Sequence, residues 1–298
     1  MVTGTQRTVA LVQHACGDNP DDNLARTESG IREAGSRGAD LVLLQELHRT
    51  PYPCQQEDPA VFDWAEPVPG PTTDRLAALA RELETVIVGS VFERRAAGLY
   101  HNTAVVLDAD GSLAGRYRKM HIPDDPGYYE KFYFTPGDTG FEPVDTAAGR
   151  LGVLVCWDQW FPEAARLMAL AGADMLLYPT AIGWAAEDDA DERARQHDAW
   201  VTVQRAHAVT NGLPVLVCNR CGHEPDPAGR GTGTTFWGSS FVAGPQGEIL
   251  ARAGTDAGEI ATVTVDTGRT DTVRRMWPFL RDRRIDAYGD LLRRFRDE

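Results

Sequence analysis

Positive charge is in short supply: 30 Lys and Arg stand against 44 Asp and Glu, a formal charge of −14 over 298 residues. Such a field repels nucleic acid and anionic membrane, so neither is expected as a partner, and it attracts a cationic small molecule. Cysteine is sparse and odd in number, with only Cys16, Cys54, Cys156, Cys218 and Cys221, which does not suit the paired framework of a disulfide-built secreted protein. Free thiols in a reducing, cytoplasmic compartment are expected instead. No run approaches the roughly 18 consecutive apolar residues of a membrane span, and residues 1–8 lack the basic and apolar blocks of a secretory signal. Cys218-Asn-Arg-Cys221 has the spacing of a redox motif, but Leu213-Pro-Val-Leu-Val-Cys218 reads as a buried strand that makes Cys218 a core residue. With His223 alone beside it, no second ligand pair completes a zinc site. The turn His14-Ala-Cys-Gly-Asp-Asn is not the glycine-rich turn of a dinucleotide binder, and Gly229-Arg-Gly-Thr-Gly-Thr has no P-loop lysine.

What is present is an alternation of short apolar runs and helical stretches. Strand-length, β-rich runs cover residues 8–13, 41–45, 86–91, 103–108, 113–117, 151–156, 175–178, 215–218, 239–243 and 261–265. Helical spacing of apolar residues marks 23–36, 73–83, 162–171 and 196–211, with Thr73 or Asp74 as the expected cap of the second. Asp110-Gly111 and Gln246-Gly247 predict hairpin turns. Gly38-Ala-Asp-Leu-Val-Leu-Leu and Gly172-Ala-Asp-Met-Leu-Leu echo one another, as two βα layers of one sheet system. No low-complexity linker divides the chain, so a single domain over 1–298 is expected. Its arginine-rich end, 274–298, carries Trp277, Phe279, Leu280, Tyr288 and Leu291 and reads as a C-terminal arm docked on a second subunit.

Three residues placed at the ends of strand-like runs could carry chemistry. Cys156 closes Leu151-Gly-Val-Leu-Val and precedes a helix start marked by Pro162 and Glu163, where a helix dipole would favour the nucleophilic thiolate. Its bland alternative is a small buried thiol. Glu46 closes Ala39-Asp-Leu-Val-Leu-Leu-Gln at the strand end where α/β sites gather, and a partly dehydrated carboxylate there makes a usable base. The alternative is a solvated loop glutamate. Lys119 follows 113–117, where an ammonium would stabilise charge developing on a carbonyl oxygen; taken alone, a lysine in Arg116-Tyr-Arg-Lys is more often surface charge.

Together, Leu43-Leu-Gln-Glu-Leu, Tyr117-Arg-Lys-Met-His-Ile-Pro-Asp and Gly152-Val-Leu-Val-Cys-Trp-Asp-Gln-Trp-Phe-Pro-Glu resemble, in order and spacing, the Glu, Lys and Cys signatures of the nitrilase superfamily. The resemblance implies a four-layer αββα sandwich, a covalent Cys156 intermediate, no cofactor and no metal, and assembly as a homo-oligomer. Through His121-Ile-Pro-Asp-Asp-Pro-Gly-Tyr-Tyr-Glu-Lys-Phe-Tyr-Phe-Thr-Pro-Gly-Asp it is most similar to the N-carbamoylputrescine amidases. That likeness implies hydrolysis of a cationic N-carbamoyl amine to the amine, ammonia and carbon dioxide. It makes Glu130 an auxiliary glutamate holding Lys119, with Tyr52, Asp124, Trp157 and Asp158 lining the substrate pocket. After Ile182-Gly183, however, those amidases continue with Ser-Glu, whereas this chain has Trp184-Ala-Ala-Glu187-Asp188, so Glu187 or Asp188 is left to replace a pocket carboxylate. The competing substrates are N-carbamoyl-β-alanine, N-carbamoyl amino acids or another small amide, for which Arg193, Arg195 or Arg220 would serve the carboxylate. A catalytically silent binding protein is the reading from another class; the joint presence of Glu46, Lys119, Glu130 and Cys156 weighs against it.

Overall fold

The structure, a computed structural model, describes residues 6–229 and 231–297. Residues 1–5 of the segment read for a signal, Arg230 of the glycine-rich turn and Glu298 of the C-terminal arm lie outside them. The first part of the chain forms β1 (Gln6–Gln13), α1 (Pro20–Ser36), β2 (Leu41–Leu44), α2 (Pro71–Leu83), β3 (Val86–Ala96), β4 (Leu99–Leu107) and β5 (Leu113–Arg118). Then come α3 (Glu130–Tyr133), β6 (Val144–Thr146), β7 (Gly149–Val153), α4 (Pro162–Leu170), β8 (Met175–Thr180), β9 (Gly183–Trp184), α5 (Ala190–Asn211) and β10 (Val215–Asn219). The chain finishes with β11 (Cys221–Glu224), β12 (Thr234–Trp237), β13 (Phe241–Ala243), β14 (Ile249–Arg252), β15 (Glu259–Asp266) and α6 (Gly268–Met276).

Two six-stranded sheets result, ordered β15-β1-β2-β3-β4-β5 and β14-β13-β10-β8-β7-β6, with a small sheet β11-β12-β9 beside them. Side-chain alternation stacks the layers. In β2, Leu41 and Leu43 join the core shared with Val153, Leu177 and Val217 of the second sheet, while Val42 and Leu44 pack with Ile31 and Ala34 of α1 and Leu76 and Leu79 of α2. On the far side, Met168 of α4 and Trp200 of α5 close the second sheet. This is the αββα sandwich that the resemblance implied. The Gly38 and Gly172 echo falls on β2 and β8, so it marks corresponding places in two different sheets and not two layers of one.

Local chemistry explains most boundaries. Asn19 caps α1 by accepting from the Asp21 N–H at 2.9 Å, with Pro20 and two acids in the first turn. α2 begins at Pro71 with Gly70 as its cap; Thr73, expected to be the cap, sits third in the helix, and its hydroxyl accepts from the Gly70 N–H at 2.6 Å. α5 starts at Ala190, just after the Asp189 cap and six residues before the expected Gln196, because its first turns are polar and largely exposed and show no apolar period. Gly111 and Gly247 turn the β4–β5 and β13–β14 hairpins at φ 80 and φ 78. Cys218 is buried in β10 with its thiol donating to the Val12 carbonyl at 3.3 Å, and all five cysteines are free. Among the described residues, no helix is long and apolar enough to cross a membrane.

Strand direction then decides where side chains converge. β1, β2 and β3 run parallel, and β5 shares their direction through two antiparallel pairings with β4. β7, β8 and β10 are likewise parallel. Glu46, Lys119 and Cys156 each follow the carboxyl end of such a strand.

Candidate active site

Lys119 is buried between two carboxylates. Its Nζ donates to Glu46 Oε1 at 2.8 Å, and to Glu130 at 2.8 Å (Oε1) and 2.7 Å (Oε2). Asn102 Nδ2 donates to the same Glu46 oxygen at 2.7 Å, and the Tyr52 hydroxyl donates to Glu130 Oε1 at 2.7 Å. The second Glu46 oxygen, Oε2, is buried and has no hydrogen-bond partner among the described residues. That leaves one carboxylate oxygen with no donor of its own. Burial works against the Lys119 ammonium, but Glu130 and Glu46 outweigh it and hold its pKa well above the usual lysine range. Burial pushes Glu130 up to about 7 against the pull of Lys119.

Cys156 follows β7 on a left-handed backbone, φ 43, and opens a five-residue 3-10 helix, Cys156–Trp160. Its Sγ lies 3.8 Å from the Ala181 carbonyl. The helix expected to activate it starts at Pro162, beyond that short turn, so a helix dipole does not act directly on the thiol. Burial, and then Glu46, raise the thiol pKa well above its ordinary value, with Lys119 pulling the other way. The resting sulfur is therefore a thiol that needs a base, and Glu46 is the carboxylate that acts on its ionisation most strongly.

A cavity of about 670 Å³ opens onto Cys156 and Glu130. Trp157, Trp160 and Trp237 give it apolar walls; Asp125, Glu187, Asp188, Glu192 and Arg195 also line it. Of the side chains predicted to line the pocket, Trp157 does so. Tyr52 is buried behind Glu130 and is not part of the lining. Asp158 needs a correction: it is fully buried, accepts from Val155 N–H and the Tyr117 hydroxyl on one oxygen and from His121 on the other, and so fastens the turn that carries Cys156. Asp124 needs one too, since it is not part of the cavity lining and its neighbour Asp125 takes the place in the wall. Arg220, weighed as a carboxylate partner, is buried outside the cavity, and Arg193 donates to the Ala185 and Ala186 carbonyls.

Sequence reasoning missed Asn102, the Ala181 carbonyl, Tyr128, Trp160 and Trp237. Asn102 left little trace, since it stands in the polar stretch His101-Asn-Thr ahead of the apolar part of β4; the carbonyl left none, because a main-chain group has no sequence signature. A second cleft of about 550 Å³ adjoins the first through Tyr128 and Glu187 without reaching Cys156. Among the described residues, no group of three or more His, Cys, Asp or Glu is placed to hold a metal ion.

A thiol opening on a cavity, with a buried carboxylate that has one unpartnered oxygen and a buried ammonium behind the wall, supplies the parts of a cysteine hydrolase acting on a carbonyl–nitrogen bond. Residues 8–275 match the carbon-nitrogen hydrolase family. An N-carbamoylputrescine amidase of Solanum lycopersicum is 46% identical over 96% of this chain and 94% of its own length. A citrullinase of Francisella tularensis is 41% identical over 96% of this chain and 98% of its own. The crystal structure of a carbon-nitrogen hydrolase from Helicobacter pylori G27 superimposes with a TM-score of 0.95 and 52% identity, covering 98% of this chain and 100% of that one. The chain belongs to the carbon-nitrogen hydrolase family, and it is a hydrolase of non-peptide carbon–nitrogen bonds.

Proposed function

We propose that the chain hydrolyses a cationic N-carbamoyl amine, N-carbamoylputrescine first, with Cys156 as nucleophile, Glu46 as base and Lys119 as oxyanion stabiliser. Glu46 Oε2 takes the thiol proton as sulfur attacks the ureido carbon. The oxyanion forms against the Lys119 ammonium and the Trp157 N–H. Glu46 then returns its proton to the departing ammonia, leaving an R–NH–CO–S–Cys156 thioester. Water, deprotonated by Glu46, displaces the sulfur, and the released carbamate loses carbon dioxide to give the amine. Glu130 holds the lysine in place throughout.

The composition of the cavity wall carries the choice of substrate. Glu192 is already paired with Arg195 at 2.8 Å, and Asp188 accepts from the Ala185 N–H at 3.0 Å. The side-chain carboxylates of Asp125 and Glu187 hold no hydrogen bond or ion pair among the described residues, which leaves two carboxylates for a substrate ammonium. An ammonium brought out of water needs such partners or its desolvation cancels the binding. Two observations favour a second reading, a zwitterionic ureido amino acid such as citrulline: Arg195 in the wall, and likeness to a citrullinase.

Ammonia release from N-carbamoylputrescine, citrulline, N-carbamoyl-β-alanine and a simple amide separates these readings. Removing the terminal amine of the first should lower kcat/KM by roughly tenfold to a thousandfold, the worth of one or two charge-assisted bonds. Faster turnover of citrulline or N-carbamoyl-β-alanine would overturn the cationic assignment and leave the Cys156 chemistry standing.

We also propose a homo-oligomer in a reducing, cytoplasmic setting. The support is the five free cysteines and a C-terminal stretch in which Met276, Ile285, Leu292 and Phe295 are 75%, 74%, 95% and 77% exposed. A patch of that kind marks a covered surface. Light scattering that gives a monomer would refute the assembly.

A further inference from the structure

Leu47, one residue past Glu46, has φ 48, a left-handed conformation that is costly for a bulky side chain. Such backbone persists only where its surroundings over-determine it. Here the surroundings are Arg220, buried at the end of β10. One of its Nη atoms donates to the Glu46 carbonyl at 3.2 Å and the Leu47 carbonyl at 2.8 Å. The other donates to the Thr50 carbonyl at 3.0 Å and to Glu224 Oε1 at 2.5 Å. Glu224 Oε2 accepts the Tyr52 N–H at 2.6 Å, and the Tyr52 hydroxyl reaches Glu130. The Thr180 carbonyl accepts both the Arg220 N–H at 3.2 Å and the Glu46 N–H at 3.3 Å, tying the two segments to one point of the second sheet.

We propose that Arg220 and Glu224 are positioning residues for the hydrolysis, a buried pair that locks residues 46–52 and thereby sets both carboxylates flanking Lys119. A buried ion pair kept for packing alone is replaceable by apolar side chains without loss. This one spends its donors on three carbonyls of the loop that begins at the base, and its acceptor on the residue that orients Glu130. The fork of a guanidinium spans those carbonyls; a single ammonium does not. The inference rests on the catalytic reading of Glu46 and Glu130.

Purified Glu224→Gln and Arg220→Lys should stay folded and lower kcat by about tenfold or more, with KM within about twofold, as misplacement of a reacting group does. The acid limb of the pH–rate profile should move in both, which a purely structural role would not cause. Glu224→Gln combined with Tyr52→Phe should cost less than the product of the single losses, because both act on Glu130. Glu224→Asp supplies the reading where Glu224→Gln does not fold. Wild-type kcat and pH profile in the folded variants would overturn the proposal, and so would a loss that only tracks the unfolded fraction in thermal melts. Glu46→Gln is the control: full activity there removes the catalytic reading itself, whereas inactive Glu46→Gln beside normal Glu224→Gln removes only the clamp.

Discussion

At Cys156, burial and then the Glu46 carboxylate raise the thiol against the pull of Lys119, so reactivity has to come from Glu46 and from the cavity that reaches the sulfur. Cys218 is equally buried but opens onto nothing and spends its proton on the Val12 carbonyl. Iodoacetamide should therefore modify Cys156 ahead of Cys218, and Cys156→Ala should abolish turnover with the melting temperature little changed. Peptide mapping and a thermal melt check both, and preferential labelling of Cys218 would contradict the assignment. Lys119 works through charge that the substrate meets only as its carbonyl becomes an oxyanion. Lys119→Met should thus lower the acylation rate by a factor corresponding to about 3 kcal/mol or more, with a smaller effect on KM. A variant that chiefly raised KM would make the lysine a substrate anchor.

The strand ends hold these groups in place, and β5 shows how closely. Beyond it the chain returns so that the Gly137 N–H donates to the Lys119 carbonyl at 2.8 Å. A Cβ at position 137 would lie 2.0 Å from the Arg118 carbonyl oxygen and 3.1 Å from that of Lys119, both main chain and unable to step aside. Gly137→Ala should cost about 1–3 kcal/mol of stability and at least about tenfold in kcat by displacing Lys119, whereas Gly289→Ala, with open space around it, should change neither. Denaturant melts and steady-state rates check the pair. Glu46 and Cys156 were legible in the sequence because each follows an apolar run, Lys119 only through the resemblance of the segment around it, and the helices over α2 and α4 because their apolar period is strong. β6, β9, β11, β12 and β14 were not: they are short, and β9 is two residues long with a register set by β12. Asp158 was misread because an acid next to a nucleophile in sequence looks the same whether it faces the cavity or caps the turn beneath it. Arg220, weighed as a carboxylate partner only for the competing substrates, could not be located for the same kind of reason. Its burial depends on Glu224 and on loop carbonyls some 170 residues away, which no local pattern encodes.

Across the whole molecule, the acids and histidines pull stability in opposite directions as pH falls. Burial lowers His14 to about 4 and His48 to about 3, each tied to Thr27 in the interior. A histidine that stays neutral when folded but takes a proton when unfolded destabilises the native state as pH drops below about 6.5, by up to about 1.4 kcal/mol per pH unit for each ring. Glu130 works the other way: raised to about 7, it binds its proton in the folded state first and so stabilises over roughly pH 7 to 4.5. Relief of the −14 net charge also stabilises, but ordinary surface carboxylates titrate near pH 4 and contribute little above pH 5. His14 and His48 alone, two rings against one carboxyl, leave a net loss between pH 6.5 and 5 on the order of 1 kcal/mol per unit, and burial also lowers His101, His197 and His207, which adds to it. Denaturant unfolding of the resting enzyme should therefore show stability falling over that interval. Glu130→Gln should make the fall steeper, because it removes the opposing group, and His48→Gln should make it shallower. Stability that held level or rose from pH 6.5 to 5 in the wild type would mean that His14 and His48 take up protons within the fold, and that the packing around Thr27 opens to admit them.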